Sequence, residues 1–198
     1  MKLYYIGIIR NTEKPAIQLS SAYDLSEFSR WTKNDYQNFM TMFSKTVAER
    51  TSPGQRLDVE EQGHTFHCYA RSEGIAGVII SKDYPKLAAH QILSKVVDEF
   101  LADKTAAEIA RASKDNELPF PALQKHLQTY QDPSEVNSIA NIQKELDETK
   151  IILHKTIESV LQRGEKLDDL VAKSSDLSAQ SKMFYTTAKK QNSCCSVM

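Results

Sequence analysis

Residues 142–171 read IQKELDETKIILHKTIESVLQRGEKLDDLV and form the centre of a longer repeat. Alternating steps of three and four from Ile139 to Gln191 reach sixteen positions, of which ten are apolar and four are Thr or Ser. Such a repeat is typical of a helix whose seam packs into partner helices in a left-handed coiled coil. The pattern predicts one helix of about 80 Å, too long for a small domain to bury along its length. The main predicted seam residues are Ile142, Leu146, Leu153, Val160, Leu167, Leu170, Leu177 and Phe184.

Arg163 occupies the middle of this seam, between the apolar positions Val160 and Leu167. Burying a guanidinium without acceptors costs several kcal/mol (an order-of-magnitude figure), so partner helices must supply oxygen atoms or the seam must stay exposed there. A single polar layer of this kind sets register and partner choice. The alternative is a loose coil in which Arg163 extends to water. The adjacent Gly164 favours a functional layer, because a glycine inside a helix costs about 1 kcal/mol and permits close helix approach.

The run 142–171, with Arg163 at its centre, resembles the SNARE motif of the arginine-type (R-SNARE, synaptobrevin-like) family. In that family the arginine pairs with three glutamines from partner helices in a parallel four-helix bundle that draws two membranes together. The resemblance implies a v-SNARE that mediates vesicle docking and fusion in ER, Golgi, endosome or vacuole trafficking. It also implies three Q-SNARE helices as partners, and a SNARE-disassembly ATPase with its adaptor.

The first two thirds of the chain have the patterns of a mixed α and β domain. Short apolar runs between turn residues predict strands, and apolar residues at helical spacing predict helices. An antiparallel sheet covered by helices fits this order. The predicted strands are residues 3–9, 16–22, 57–61, 65–71 and 75–81, and the predicted helices are residues 34–50, 84–102 and 121–131.

This part of the chain resembles a longin domain, which is profilin-like and has a five-stranded antiparallel sheet sandwiched by helices. The predicted fold class is therefore α+β, with a longin domain followed by a long SNARE coiled-coil helix. The predicted domains are a longin regulatory domain at residues 1–131, a SNARE motif at 138–192 and a lipidated tail at 193–198.

Composition limits the classes of partner and compartment. The chain has 25 basic and 26 acidic residues and a net charge of -1, which gives no electrostatic reason to expect nucleic acid. It has no run of 18 apolar residues and no signal-peptide pattern, so a cytosolic protein is expected. Attachment to membranes then requires a covalent lipid or a partner.

The sequence at the C-terminus predicts such a lipid. Cys195-Ser196-Val197-Met198 fits the C-a-a-X pattern, and a terminal Met favours farnesyl. One lipid chain gives only marginal membrane binding, so Cys194 is the expected site of a second lipid, palmitoyl or prenyl. The alternative is a pair of exposed reactive thiols. The combination resembles the lipid-anchored, prenylated longin-type R-SNAREs, which implies cytosol and the cytoplasmic face of Golgi, ER, endosomal or vacuolar membranes.

The helix predicted at residues 34–50 has an apolar stripe, formed by Phe39, Met42 and Phe43 with a neighbouring Met, that is broader than one core face requires. The stripe either faces the core or forms a groove for the SNARE motif or the lipid. Because an exposed seam and a lipid would aggregate, we expect the longin domain to fold back and autoinhibit the cytosolic form. Under this hypothesis Leu153, Val160 and the farnesyl chain are buried.

The sequence gives little support for an enzyme, a cofactor other than the lipids, or a metal site. His64 and His67 face opposite sides of a strand, and Cys68 is best interpreted as a buried structural residue. Phosphate-binding, serine-hydrolase and zinc-protease motifs are absent. Two other functions remain possible at this point: a longin-domain trafficking adaptor whose coil only dimerises, and a thiol enzyme that uses Cys68.

Overall fold

The protein is described here from a computed structural model over residues 1–140 and 150–194. Six strands and seven α-helices form within these residues. The strands are β1 (Lys2–Arg10), β2 (Ile17–Tyr23), β3 (Arg56–Glu61), β4 (His64–Ala70), β5 (Ile75–Lys82) and β6 (Ile151–His154). The helices are α1 (Lys33–Arg50), α2 (Lys86–Asp103), α3 (Ala106–Arg111), α4 (Ala122–Thr129), α5 (Pro133–Ala140), α6 (Leu167–Lys173) and α7 (Ala179–Cys194).

The strands form one sheet in the order β2-β1-β5-β4-β3-β6. The first five strands are antiparallel to their neighbours, whereas β6 runs parallel to β3. The central strands β1 and β5 are buried on both faces, which explains their nearly continuous apolar sequences. The predicted α+β class and the five-stranded antiparallel sheet of the longin domain are confirmed.

Helices cover both faces of this sheet. On one face, α2 packs with α4 and α5 over a core that includes Ile79, Ile92 and Phe100. Helix α2 comes very close to β5 at Gly77, where an added Cβ would lie 2.7 Å from Val97. On the other face, α1 covers a second core that includes Val47.

Helix α3 was not predicted from the sequence, because the segment 103–119 is polar and rich in alanine. Its start is nevertheless encoded locally. Thr105 and Glu108 form a capping box, in which each side chain bonds to the backbone N–H of the other residue. A Thr-x-x-Glu pattern is a known signal for a helix start and could have located α3.

The prediction of one long C-terminal helix is wrong for residues 150–194. This part of the chain forms β6, a 3-10 helix (Ile157–Val160), α6 and α7, which are separated by turns. The physical reason is that the longin domain offers β6 an unpaired sheet edge at β3 and offers apolar side chains a place in its core. An isolated amphipathic helix has no partner surface that could bury its apolar side chains. The predicted seam residues Ile142 and Leu146 lie outside the described residues.

Candidate functional site

The C-terminal segment, defined as residues 150–194, first contacts the longin domain through β6. Arg56 to Val59 of β3 pair in register with Ile151 to His154. Leu153 on β6 is 52% exposed, so the predicted burial of this residue is wrong. The strand is held by its backbone pairing with β3 and by Ile152, which is half-buried against the core under α1.

The 3-10 helix inserts one side chain into the sheet core. Ile157 is 0% exposed and belongs to the core under α1, and the seam residue Val160 packs against the same core and is half-buried. The backbone N–H of Ile157 also donates a 3.0 Å hydrogen bond to Glu61. Ile157 lies outside the predicted seam, so its anchoring role was not foreseen from the repeat.

Arg163, the predicted ionic-layer residue, is exposed in a turn that leads to α6. The backbone N–H of Glu165 donates a 2.9 Å hydrogen bond to the carbonyl of Gln162. Gly164 has φ +92°, a conformation that other L-residues rarely adopt. The sequence interpretation assigned this glycine to close helix packing, whereas in this structure it forms the turn.

A third contact is an apolar cluster between α1 and the segment from α6 to α7. Its buried members are Phe39 and Met42 from α1 and Val171 and Leu177 from the C-terminal segment. The partly buried residues Phe43, Phe184 and Tyr185 pack against this cluster. The structure thus brings the three predicted groove residues of α1 into contact with two predicted seam residues, Leu177 and Phe184.

A cavity of about 390 Å³ lies beside this cluster. This volume is within the range of about 300–1,000 Å³ that is usual for small-molecule sites. Most of the wall is aromatic or aliphatic, with charged groups from Glu61, Glu158 and Lys189. The apolar lining residues are Phe28, Tyr36, Phe39, Met40, Phe43, Phe66, Ile80, Leu167, Phe184 and Tyr185.

Polar contacts also join the C-terminal segment to α1. The buried Ser181 hydroxyl donates a 2.6 Å hydrogen bond to Asp35. Ion pairs also join Lys45 to Asp176 and Arg50 to Glu165. No pattern in a single sequence reveals these pairs, because more than 100 residues separate the partners.

The remaining predicted residues have these positions. Leu167 is half-buried against the core under α1, and Leu170 is half-buried on α6. Cys194 is the last residue of α7. Cys195 lies outside the described residues.

Asp58, His67 and His90 form a buried cluster that sequence reasoning missed, since it considered His67 only with His64. Their ligand-type atoms lie within 4.8 Å of one another. Both imidazoles hydrogen-bond to one Asp58 oxygen, at 2.7 Å and 2.8 Å. Tetrahedral zinc ligands lie about 3.3 Å apart, so these distances are those of hydrogen bonds between the residues.

Hydrogen bonds within the cluster stabilise the ionised form of the Asp58 carboxyl. Burial by itself would raise the pKa of the Asp58 carboxyl, but the hydrogen bonds from His67 and His90 outweigh burial and hold the pKa well below its ordinary value. Burial also lowers the pKa of the His90 imidazole below its ordinary value, against the opposing effect of Asp58. The cluster joins β3, β4 and α2 and therefore supports the strand to which β6 adds.

Cys68 is 0% exposed on β4. Burial raises the pKa of its thiol to about 12. Because the thiolate is the reactive form and needs access to a substrate, this residue cannot act as a nucleophile. The interpretation of Cys68 as a buried structural residue fits these observations, and the thiol-enzyme alternative does not.

Two family patterns cover most of the chain. The longin family, described as a regulated-SNARE-like domain, matches residues 25–127, and the synaptobrevin family matches residues 138–196. Several relatives of similar length carry the name Synaptobrevin homolog YKT6. The protein of that name from Eremothecium gossypii is 53% identical over 202 residues, which cover 100% of both chains. Those from Schizosaccharomyces pombe and Saccharomyces cerevisiae are 52% identical (98% of both chains) and 50% identical (100% of both chains).

Among the helices of the described ranges, none has the length and apolar character needed to cross a bilayer.

Proposed function

The chain belongs to the longin-type synaptobrevin family, a non-enzymatic R-SNARE family of vesicle trafficking whose members pair with other SNARE helices, and from this premise we propose how it works. In its open form it supplies the arginine-type helix of a four-helix bundle with three Q-SNARE helices. In its closed form the longin domain holds the C-terminal segment and prevents bundle formation.

One observation carries this proposal. The seam positions Val160, Leu167, Leu177 and Phe184 all pack against the longin domain. A residue packed against the longin domain cannot also pack into a partner helix. The two uses are therefore exclusive, and the balance between them controls assembly.

Arg163 fits the same scheme. Its guanidinium is exposed in the closed form, so it needs no buried acceptor there. In a bundle it would be buried, and three glutamine side chains from the partners would supply the carbonyl oxygens. The residue therefore selects the partners without a desolvation cost in the closed form.

Assembly is tested by mixing the full chain with three candidate glutamine-type helices and following helix content and thermal melting by circular dichroism. We expect a large gain in helix and a cooperative melt at high temperature. Leu167→Asp is expected to weaken the complex by several kcal/mol (order of magnitude), because it buries a charge in the seam. If the chain gains no helix with any set, the measurement is repeated with residues 134–198 alone, and a second negative result contradicts the proposal.

The competing function is a trafficking adaptor whose coil only dimerises. Arg163→Leu distinguishes the two. A dimerising coil tolerates leucine in its seam or gains stability from it. An R-SNARE loses selectivity for glutamine-type partners, which competition between matched and mismatched helix sets would measure.

The proposal also includes a farnesyl group on Cys195 and a second lipid on Cys194. The large apolar cavity supports it, since a protein with an exposed prenyl chain would aggregate or bind membranes indiscriminately. Lys189 lines that cavity, and α7 runs from there to Cys194. The cavity is the proposed place of the prenyl chain in the closed, cytosolic form.

Phe43→Glu tests this placement. The carboxylate would lie in the cavity wall and disfavour an apolar chain there. For the farnesylated protein we expect a clear increase in the membrane-bound fraction on vesicle flotation, together with a larger hydrodynamic radius. Trp31→Glu is the matched control, because Trp31 is 87% exposed and does not line the cavity. If Phe43→Glu changes neither quantity, the shielding proposal is wrong.

A complete cycle requires the bundle to be taken apart after fusion. We propose that a SNARE-disassembly ATPase acts on it through its adaptor, and that the longin domain then recaptures the C-terminal segment. The lipid anchor would place the active form on the cytoplasmic face of Golgi, ER, endosomal or vacuolar membranes.

A further inference from the structure

Two cations on α1 each contact two carboxylates from different parts of the chain. Lys45 and Arg50 are nearly buried, with side chains 10% and 7% exposed. Each pairs with one acid of the longin domain and with one acid of the C-terminal segment. A role for these two cations in regulating the closed form rests on the proposed function.

The first arrangement is centred on Lys45. Its ammonium donates to Asp115 of the longin domain at 2.5 Å and to Asp176 at 2.9 Å. Asp176 lies between α6 and α7. Asp115 also accepts a 2.9 Å hydrogen bond from the backbone of Gln18, so its position does not depend on the C-terminal segment. Although burial lowers the pKa of Lys45, the bonds to both acids raise it above its ordinary value, and the lysine stays charged.

The second arrangement is centred on Arg50. Its guanidinium donates to Glu49 at 2.6 Å and to both oxygens of Glu165 at 2.9 Å. Glu49 also accepts a 2.8 Å hydrogen bond from the backbone of Ala16 and is thus fixed within the longin domain. The bond from Arg50 is the main reason why the pKa of Glu165 lies below its ordinary value. Glu165 follows the Arg163-Gly164 turn directly.

We propose that Lys45 and Arg50 act as latches, by which we mean cations that are each shared between two carboxylates. Each cation binds an acidic side chain of the C-terminal segment, and it stays paired with an acidic side chain of the longin domain when that segment leaves. Opening therefore does not leave an unpaired cation on α1. The latches hold the closed form weakly enough to be reversed. Each also fixes one point of the segment, near Arg163 and between α6 and α7.

The sharing has an electrostatic consequence that a simple salt bridge lacks. In the closed form the two carboxylates on one cation repel each other, and this repulsion is relieved when the segment leaves. The outer acids, Asp176 and Glu165, should therefore favour closing. The inner acids, Asp115 and Glu49, should oppose it. Neutralising the two acids of one latch must shift the equilibrium in opposite directions.

Hydrogen exchange of the full chain measures this shift. The amides of residues 151–160 exchange when the segment opens, so their rate reports the open population. We expect Asp176→Asn and Glu165→Gln to raise that rate about twofold to fivefold. We expect Asp115→Asn and Glu49→Gln to lower it by a similar factor. These amide variants keep an oxygen that can accept the backbone hydrogen bonds of Gln18 and Ala16.

Asp169→Asn is the matched control, because Asp169 is exposed in the same segment and forms no ion pair within the described ranges. Amides of β5 report on the folding of the longin domain in every variant. A latch is disproved if its two variants shift the rate in the same direction or not at all. If the wild-type amides at 151–160 exchange without protection, the closed form itself is disproved, and that failure belongs to the proposed function.

Discussion

Ile157→Ala is expected to release the C-terminal segment while leaving the four-helix bundle nearly intact. Ile157 is 0% exposed in the core under α1. Truncation of a buried isoleucine to alanine costs about 2–5 kcal/mol, through lost apolar burial and the remaining cavity. In the heptad repeat the seam passes through Thr156 and Val160, so Ile157 is a flanking position at the rim of the bundle and not a seam residue. The closed form, in which Ile157 is fully buried, therefore loses more than the bundle.

The measurement is the rate at which the variant forms a helical complex with three glutamine-type helices. We expect a rate at least tenfold higher than that of the wild type, since a loss of 1.4 kcal/mol already changes the equilibrium tenfold. The melting temperature of the finished complex should change little. Hydrogen exchange at residues 151–160 should increase in the free chain.

Leu153→Ala is the matched comparison. It is a seam residue that is 52% exposed in the closed form. Its truncation should lower the melting temperature of the bundle and leave the rate of opening nearly unchanged. If Ile157→Ala does not accelerate assembly, or if Leu153→Ala accelerates it equally, the packing of the 3-10 helix does not control opening.

Gly164→Ala is the second large effect that we expect, and it acts through the backbone. In the closed form this residue has φ +92°, and an added Cβ would meet no atom within 4 Å. The substitution therefore causes conformational strain without a steric clash, of about 1–2 kcal/mol. In a continuous helix the same change gains about 1 kcal/mol. The two effects add, so the variant should favour the helical bundle by about 2–3 kcal/mol.

We expect this variant to assemble faster and to form a complex that melts at a higher temperature. Circular dichroism and stopped-flow mixing would measure both. Gly54→Ala is the control, because Gly54 also has a positive φ, +79°, and free space around it, but lies in the longin domain. It should lower the stability of the free chain without stabilising the bundle. A Gly164→Ala complex that melts at or below the wild-type temperature would contradict this account.

The two variants test different aspects of one conformational balance. Ile157 stabilises the closed form by side-chain burial, whereas Gly164 permits the turn that lets the segment follow the domain surface. Val160 and Leu167 contribute to both forms, so their substitution would weaken the closed form and the bundle together. This makes Ile157 and Gly164 better probes of opening than the seam residues.

Much of the longin domain was predictable because its elements carry local signals. The alternating and continuous apolar runs located five strands, and the helical spacing located α1 and α2 close to their observed bounds. Helix α3 was missed although its capping box is present in the sequence. The polar cluster of Asp58, His67 and His90 was missed for another reason, since only the pairing of β3 with β4 and the packing of α2 bring these residues together.

The contacts of the candidate site were less predictable. The apolar stripe on α1 was compatible with a core face or with a binding groove, and the structure places Phe39, Met42 and Phe43 against the C-terminal segment. The ion pairs of Lys45 and Arg50 have no local signature. Each joins residues more than 100 positions apart, and surface acids are too common to indicate a partner.

The sequence by itself determined the α+β longin domain, the seam with Arg163 at its centre, and the cysteines at the C-terminus. These features depend on local periodicity and on residue type, which a single chain displays directly. Only the tertiary structure decided that residues 150–194 form a strand, a 3-10 helix and two short helices. A helix whose seam has no partner gains little stability by itself. In the observed fold the open edge of β3 pairs with the backbone of this segment, and the core under α1 buries its apolar side chains. Under the proposed function the same residues have two structures, and the available partner surface selects between them.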